Sequence, residues 1–101
     1  MRAGFLLARL AYRDIDLIWR YIACDSIKSA NRWRDTIFAK CNKLARLPTL
    51  GSTCDHLHLG LRFLVVKKYV IYYLVKKPQV VIVRILHSAR EHESILAESQ
   101  F

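Results

Sequence analysis

Leu61-Arg62-Phe63-Leu64-Val65-Val66, Tyr69-Val70-Ile71-Tyr72-Tyr73-Leu74-Val75 and Val80-Val81-Ile82-Val83-Arg84-Ile85-Leu86 are three runs separated only by Lys67-Lys68 and Lys76-Lys77-Pro78-Gln79. Each is dominated by β-branched and aromatic side chains, which fit a pleated, packed surface. The gaps are of hairpin length, so the three runs are expected as antiparallel neighbours. The middle run is apolar at odd and even positions alike, which places it at the centre of the sheet. Here the fold is decided: whatever precedes these strands must cover them.

Upstream, Ala11, Ile15, Ile18 and Ile22 recur at spacings of three and four and so share one face of a helix. Leu17 and Tyr21 widen that stripe, while Arg13, Asp16 and Arg20 lie away from it. The helix should stop near Cys24. Asp25 or Ser26 can cap a second helix by accepting from a free N–H of its first turn. Ile27, Ala30, Trp33 or Arg34, Ile37, Cys41 and Leu44 mark the buried face of this second helix. Lys28, Arg32, Asp35, Lys40 and Lys43 mark its wet side. Pro48 disfavours the helical region at Leu47 and ends it. The short join near Asp25 predicts an antiparallel helical hairpin. Gly4 to Ala8 reads as a short edge strand, residues 52–60 as a loop, and the stretch from Ala89 as a charged, partly helical tail. The expected architecture is α+β in the order β-α-α-β-β-β, a helical hairpin packed on a small antiparallel sheet. At 101 residues one domain is expected over 1–101, with an appendage from about residue 91.

Lys and Arg number 17 against 8 Asp and Glu, a net charge of +9. Such an excess favours an acidic or polyanionic partner: nucleic acid, an anionic membrane surface, or an acidic protein. Cysteines 24, 41 and 54 are odd in number and form no C-x-x-C pair, which suits a reducing compartment. Cys24 and Cys41 fall where buried helix residues are expected. Arg9 interrupts the first apolar run after six residues, too early for a secretory signal. No other run is long enough to span a bilayer. A cytoplasmic protein without a membrane role is therefore expected.

Several chemistries can be weighed residue by residue. His56 and His58, with Cys54 and Asp55 before them, are potential metal ligands, but a second cluster is missing and a solvated loop is the simpler reading. A Cys54–His87 nucleophile pair lacks any third orienting group. Gly4, Gly51 and Gly60 cannot make a phosphate loop, so no nucleotide cofactor is expected. Arg62, Lys67, Lys68, Lys76, Lys77, Arg84 and Arg90 interleave with Tyr69, Tyr72 and Tyr73. That composition suits RNA contact, although turn lysines also guard strand edges and buried tyrosines are commonly core. His87 closes an apolar strand, where it could serve as an acid or base or cap the backbone. Strict alternation puts it on the face opposite Arg84.

Ala11-x-x-Asp14-Ile15-x-x-Ile18-x-x-Tyr21-Ile22 resembles the first-helix pattern of the RelE/ParE toxins of type II toxin–antitoxin systems. Leu44-Ala45-x-Leu47-Pro48-x-Leu50-Gly51 resembles the exit from their second helix. Gly60-Leu61-Arg62, Tyr69-Val70-Ile71-Tyr72-Tyr73 and Val81-x-Val83-Arg84-Ile85-Leu86-His87-x-Ala89-Arg90 resemble their strand signatures. Together these cover roughly residues 5–92. The resemblance implies a growth-inhibiting toxin held by a cognate, acidic, partly disordered antitoxin in a hetero-oligomer. RelE-like members cleave messenger RNA on the ribosome without a metal, and for that chemistry His87, Arg84 and Arg62 would be the site. ParE-like members inhibit DNA gyrase, with Arg62, Arg84, His87 and Arg90 as candidate target contacts. Nuclease members tend to carry Arg just after the first aromatic of the central strand, where this chain has Val70, and the closing Arg-Ile-Leu-His-x-Ala-Arg-Glu is more similar to ParE. A non-toxic binding module of the same fold is the third reading.

Overall fold

The computed structural model describes residues 4–99. Phe5–Leu7 form β1, Arg9–Ala23 helix α1 and Ile27–Arg46 helix α2. A single 3-10 turn at Pro48–Leu50 leads to β2 (Ser52–Thr53), β3 (Arg62–Val66), β4 (Tyr69–Lys76) and β5 (Gln79–His87). The last element is α3 (His92–Glu98). Ser26 caps α2 by accepting from the Ser29 N–H at 3.1 Å.

Five strands lie in the order β1-β5-β4-β3-β2, with β4 central as its two-faced apolar pattern requires. The sheet is mixed, not purely antiparallel, because β1 runs parallel to β5 through Phe5↔Val80, Leu6↔Val81 and Leu7↔Ile82. The whole helical hairpin lies between these two strands in the chain, giving the length a parallel crossover needs. A second correction concerns the expected loop at 52–60: Ser52 and Thr53 pair with Phe63 and Arg62 as a short edge strand.

Both faces of the sheet are covered. On one, Ala11, Ile15, Ile37, Cys41 and Leu44 of the hairpin meet Ile71, Tyr73, Val80, Ile82 and Ile85. On the other, Leu96 of α3 and the 54–61 segment cover Val70, Tyr72, Val83 and Leu86. Alternation along β5 is broken where Tyr72 pairs with Arg84 but Tyr73 pairs with Ile82, leaving Val83 as the extra residue of a bulge. Without it Ile82 and Ile85 would point to opposite faces; with it both reach the hairpin core.

The hairpin stripe is narrower than its sequence suggests. Leu17, Tyr21 and Ile27, expected at the buried face, are 51%, 79% and 62% exposed. Cys24, also expected inside, is exposed at the end of α1, whereas Cys41 is buried. Trp19 donates to Asn31 at 3.1 Å, and the Arg34 guanidinium lies 5.6 Å from the Trp19 ring centroid, so α1 and α2 are joined on their outer side too.

Gly51 is fixed between strands: its N–H donates to the Tyr73 hydroxyl at 2.9 Å and its carbonyl accepts from Arg62 Nη1 at 2.7 Å. The same hydroxyl donates to the Pro48 carbonyl at 2.7 Å. A Cβ on Gly51 would fall 2.5 Å from that hydroxyl and 2.6 Å from the Phe63 carbonyl oxygen, a backbone atom that cannot swing aside. Gly51→Ala should therefore lower unfolding stability by about 1–3 kcal/mol, the usual cost of overpacking, in a urea titration. An unchanged midpoint would show that this turn yields freely.

Candidate functional site

The sequence candidates do not form one site. Asp14 is the one buried charged side chain among the described residues, and it claims Arg84. Its Oδ2 accepts from Arg84 Nε at 2.7 Å and its Oδ1 from Arg84 Nη2 at 2.8 Å, a two-point carboxylate–guanidinium pair. Oδ2 also accepts from the Ile85 N–H at 2.9 Å. Arg84 Nη1 donates to Ser99 Oγ at 2.7 Å, tying the end of α3 into the same network. With a side chain only 12% exposed, Arg84 is committed to the interior.

Arg62 donates to Gly51 and pairs across from Tyr73, whereas His87 pairs across from Tyr69. Those partners are four residues apart, so Arg62 and His87 sit about 13 Å apart along β4, and on strands either side of it. Arg84 and His87, opposite Tyr72 and Tyr69, lie on opposite faces. Arg90 is exposed in the turn after β5. Cys54 packs on the α3 side and its thiol donates to the Leu61 carbonyl at 3.4 Å, away from His87. No group of three metal-ligating side chains forms among the described residues, and His56 and His58 are exposed.

His87 keeps different company. Its ring stands edge-on to Tyr69 at 5.2 Å, and it lines an open depression of about 540 Å³ with Leu17, Ile18, Tyr21, Lys68 and Tyr69. Its Nδ1 accepts from the Ala89 N–H at 3.0 Å. The neutral ring therefore carries its proton on Nε2, which is a hydrogen-bond donor in either charge state. The geometry leaves Nε2 as the ring nitrogen that faces away from the Ala89 bond.

Across Tyr69 and Lys68 lies a second depression, of about 260 Å³, lined by Arg32, Trp33, Thr36, Val66 and Lys67 as well. Tyr69 stands between them, its ring 5.3 Å from Trp33. Burial and then the neighbouring Tyr21 phenol push the Tyr69 hydroxyl above the usual phenol range. Two features escaped sequence reading. One is His92, which accepts from the Tyr72 hydroxyl on Nδ1 at 2.7 Å and donates through Nε2 to the His87 carbonyl at 2.9 Å. The other is the role of Asp14, present in the first-helix motif but with its partner 70 residues away.

This hairpin-on-sheet fold is that of a class of toxins from type II toxin–antitoxin systems. A family model described as the ParE toxin of the type II toxin–antitoxin system parDE matches residues 5–92. The chain belongs to the ParE toxin family. Among solved structures it is similar to a chain of the chromosomal ParDE TA system from P. aeruginosa, at 20% identity and a TM-score of 0.70. The likeness covers 84% of this chain and 95% of that one, and at such identity it speaks for the fold alone. No curated protein matches the chain. No helix among the described residues is long and apolar enough to cross a membrane.

The thiols and phenols give a pH signature. Burial pushes Cys41 up to about 12 and raises Cys54, Tyr69, Tyr72 and Tyr73 as well. Each of these groups ionises more easily unfolded than folded. Their contribution is fully present below the ordinary thiol and phenol values, near 9 and 10, and is lost as pH rises through the folded values. Stability measured by denaturant titration should fall steadily between pH 9 and 12, and at pH 8 a thiol reagent should label Cys24 before Cys41. Equal labelling of Cys24 and Cys41 in the folded protein would contradict the burial of Cys41.

Proposed function

We propose that this chain inhibits bacterial growth by poisoning DNA gyrase and is neutralised by a cognate antitoxin, with which it forms a hetero-oligomer in the cytoplasm. Membership of the ParE toxin family supports the toxin half of this reading. The observation that carries the choice of target is the central strand. Val70, 7% exposed, packs with Leu61, Tyr72, Val83 and Leu86 on the α3 side of the sheet, where nuclease members tend to carry Arg. An aliphatic side chain cannot neutralise charge developing on a cleaved phosphodiester. The separation of Arg62, Arg84 and His87 supports the same choice, because metal-free RNA cleavage needs an acid–base group and a phosphate-holding cation within reach of one scissile bond.

Arg90 and the imidazole of His87 are the accessible members of the candidate target contacts; Arg62 and Arg84 act through the turn and the core that they hold. The excess of positive charge suits an acidic antitoxin that folds on binding. The purified chain should block supercoiling by purified gyrase while leaving messenger RNA intact on translating ribosomes. Arg90→Ala should weaken the block, and His87→Ala should not create or abolish any RNA cleavage. Codon-linked cleavage with undisturbed supercoiling would reverse the assignment to a RelE-like nuclease, and loss of that cleavage in His87→Ala would identify its acid–base group. Neither effect would leave a binding module.

A further inference from the structure

Along α2, Lys28, Arg32, Ala39, Lys43 and Arg46 recur at spacings of four, seven, four and three, so they share one face of the helix, and all are exposed. At the helical rise this stripe runs about 27 Å from Lys28 to Arg46. Arg32 meets Lys67 and Lys68 of the β3–β4 turn around one depression, which adds two exposed cations near the N-terminal end of the stripe. Among the described residues the ion pairs are Asp16–Arg20 and Asp14–Arg84, so none of these six cations is tied to a carboxylate. Asp35 is the one carboxylate on α2. Local stability does not account for the placement. Lys28 lies in the first turn of α2, where the helix dipole disfavours a cation and no acidic residue stands. Lys28 and Arg32 repel each other at i, i+4; Lys43 and Arg46 suit the negative end of the dipole but repel each other at i, i+3. Lys67 holds a φ of 56°, a conformation that favours glycine or asparagine. A partner carrying negative charge would offset each of these costs.

The composition of the stripe says which partner. Between Lys28 and Arg46 it presents no large apolar side chain, so it lacks the anchors by which a protein segment is held. Nor does it present a ring on which single-stranded bases could stack, since Trp33 of the same helix is half-buried against Tyr69. What it offers is a straight row of cations, which is the recognition chemistry of a duplex phosphate backbone. We propose that this stripe, with the β3–β4 turn, binds the phosphate backbone of duplex DNA without reading its sequence. The choice of DNA over duplex RNA rests on the gyrase reading, because gyrase acts on DNA; the phosphate chemistry does not.

Fluorescence anisotropy on the full chain tests this, with a labelled DNA duplex of mixed sequence, about 20 base pairs long and so longer than the stripe at about 3.4 Å per pair. Binding should appear at about 50 mM salt and weaken about a hundredfold or more by about 200 mM, as four or more phosphate contacts require. Lys28→Glu combined with Arg32→Glu should weaken it by about tenfold or more, and Lys43→Gln combined with Arg46→Gln by about fivefold or more. Lys76→Glu combined with Lys77→Glu, in the other turn of β4 and equal in charge to the first pair, should change it less than about threefold. Each variant is first shown by its urea midpoint to fold. Absence of binding at the lower salt, equal losses in the stripe and control pairs, or tighter binding of an RNA duplex or of polyglutamate would each overturn the proposal. A gyrase supercoiling assay is read in parallel. Binding through the stripe by a chain that leaves gyrase untouched would remove the gyrase reading and keep this surface. A block of gyrase by a chain that binds no duplex would remove this surface alone.

Discussion

Everything in this molecule turns on one carboxylate. β1 is three residues long and pairs with β5 only as far as Ile82, so the outer edge of β5 beyond that point has no strand beside it. Asp14 fills the gap from α1. It takes the Ile85 N–H that a neighbouring strand would have taken and holds the Arg84 guanidinium in two-point contact. A buried carboxylate without such partners would be strongly destabilising, so the pair is needed once either member is present. Its effect is architectural. It fixes the start of the hairpin against the last strand, and through Arg84 Nη1 and Ser99 it reaches the end of α3 on the other side of the sheet.

That arrangement has consequences for function. Because Arg84 is spent on Asp14 and Ser99, it does not converge with His87, and because the two lie three residues apart on one strand they face opposite layers. Two open depressions lie where the joined end of the hairpin meets the β3–β4 turn. There Tyr69 emerges between α1 and α2, flanked by Lys68 and His87. Strands apolar on both faces demand two covers, the hairpin on one and α3 with the 54–61 segment on the other.

Much of the fold is legible in the sequence because it rests on periodicity. The β4 run is apolar at every position and is found at the centre; Ala11, Ile15, Ile18, Ile37, Cys41 and Leu44 do line the hairpin core, and Ala30 is buried. What periodicity cannot carry is lost. The bulge at Val83 has no composition of its own, β1 is too short to declare a parallel partner, and Leu17, Tyr21 and Ile27 are apolar yet lie outside the contact. Asp14 is the sharpest case. A charge on an amphipathic helix reads as solvent-facing unless its partner is known, and here the partner lies on the last strand. The depressions beside Tyr69 are half legible: lysines interleave with tyrosines through the β half. Which of them come together depends on the hairpin, so Lys68, Tyr69 and His87 emerge as neighbours while Arg62 and Arg84 leave the set.

A double-mutant cycle on Asp14 and Arg84 tests the account most directly, with Asp14→Leu, Arg84→Met and the combined variant followed by urea unfolding. Each single change strands a buried charge and should cost about 3–5 kcal/mol. The double variant should cost clearly less than their sum, with a coupling of at least about 1.5 kcal/mol. Additive losses, or single losses within about 1 kcal/mol as for an exposed ion pair, would contradict the claim that this pair anchors hairpin, last strand and tail together.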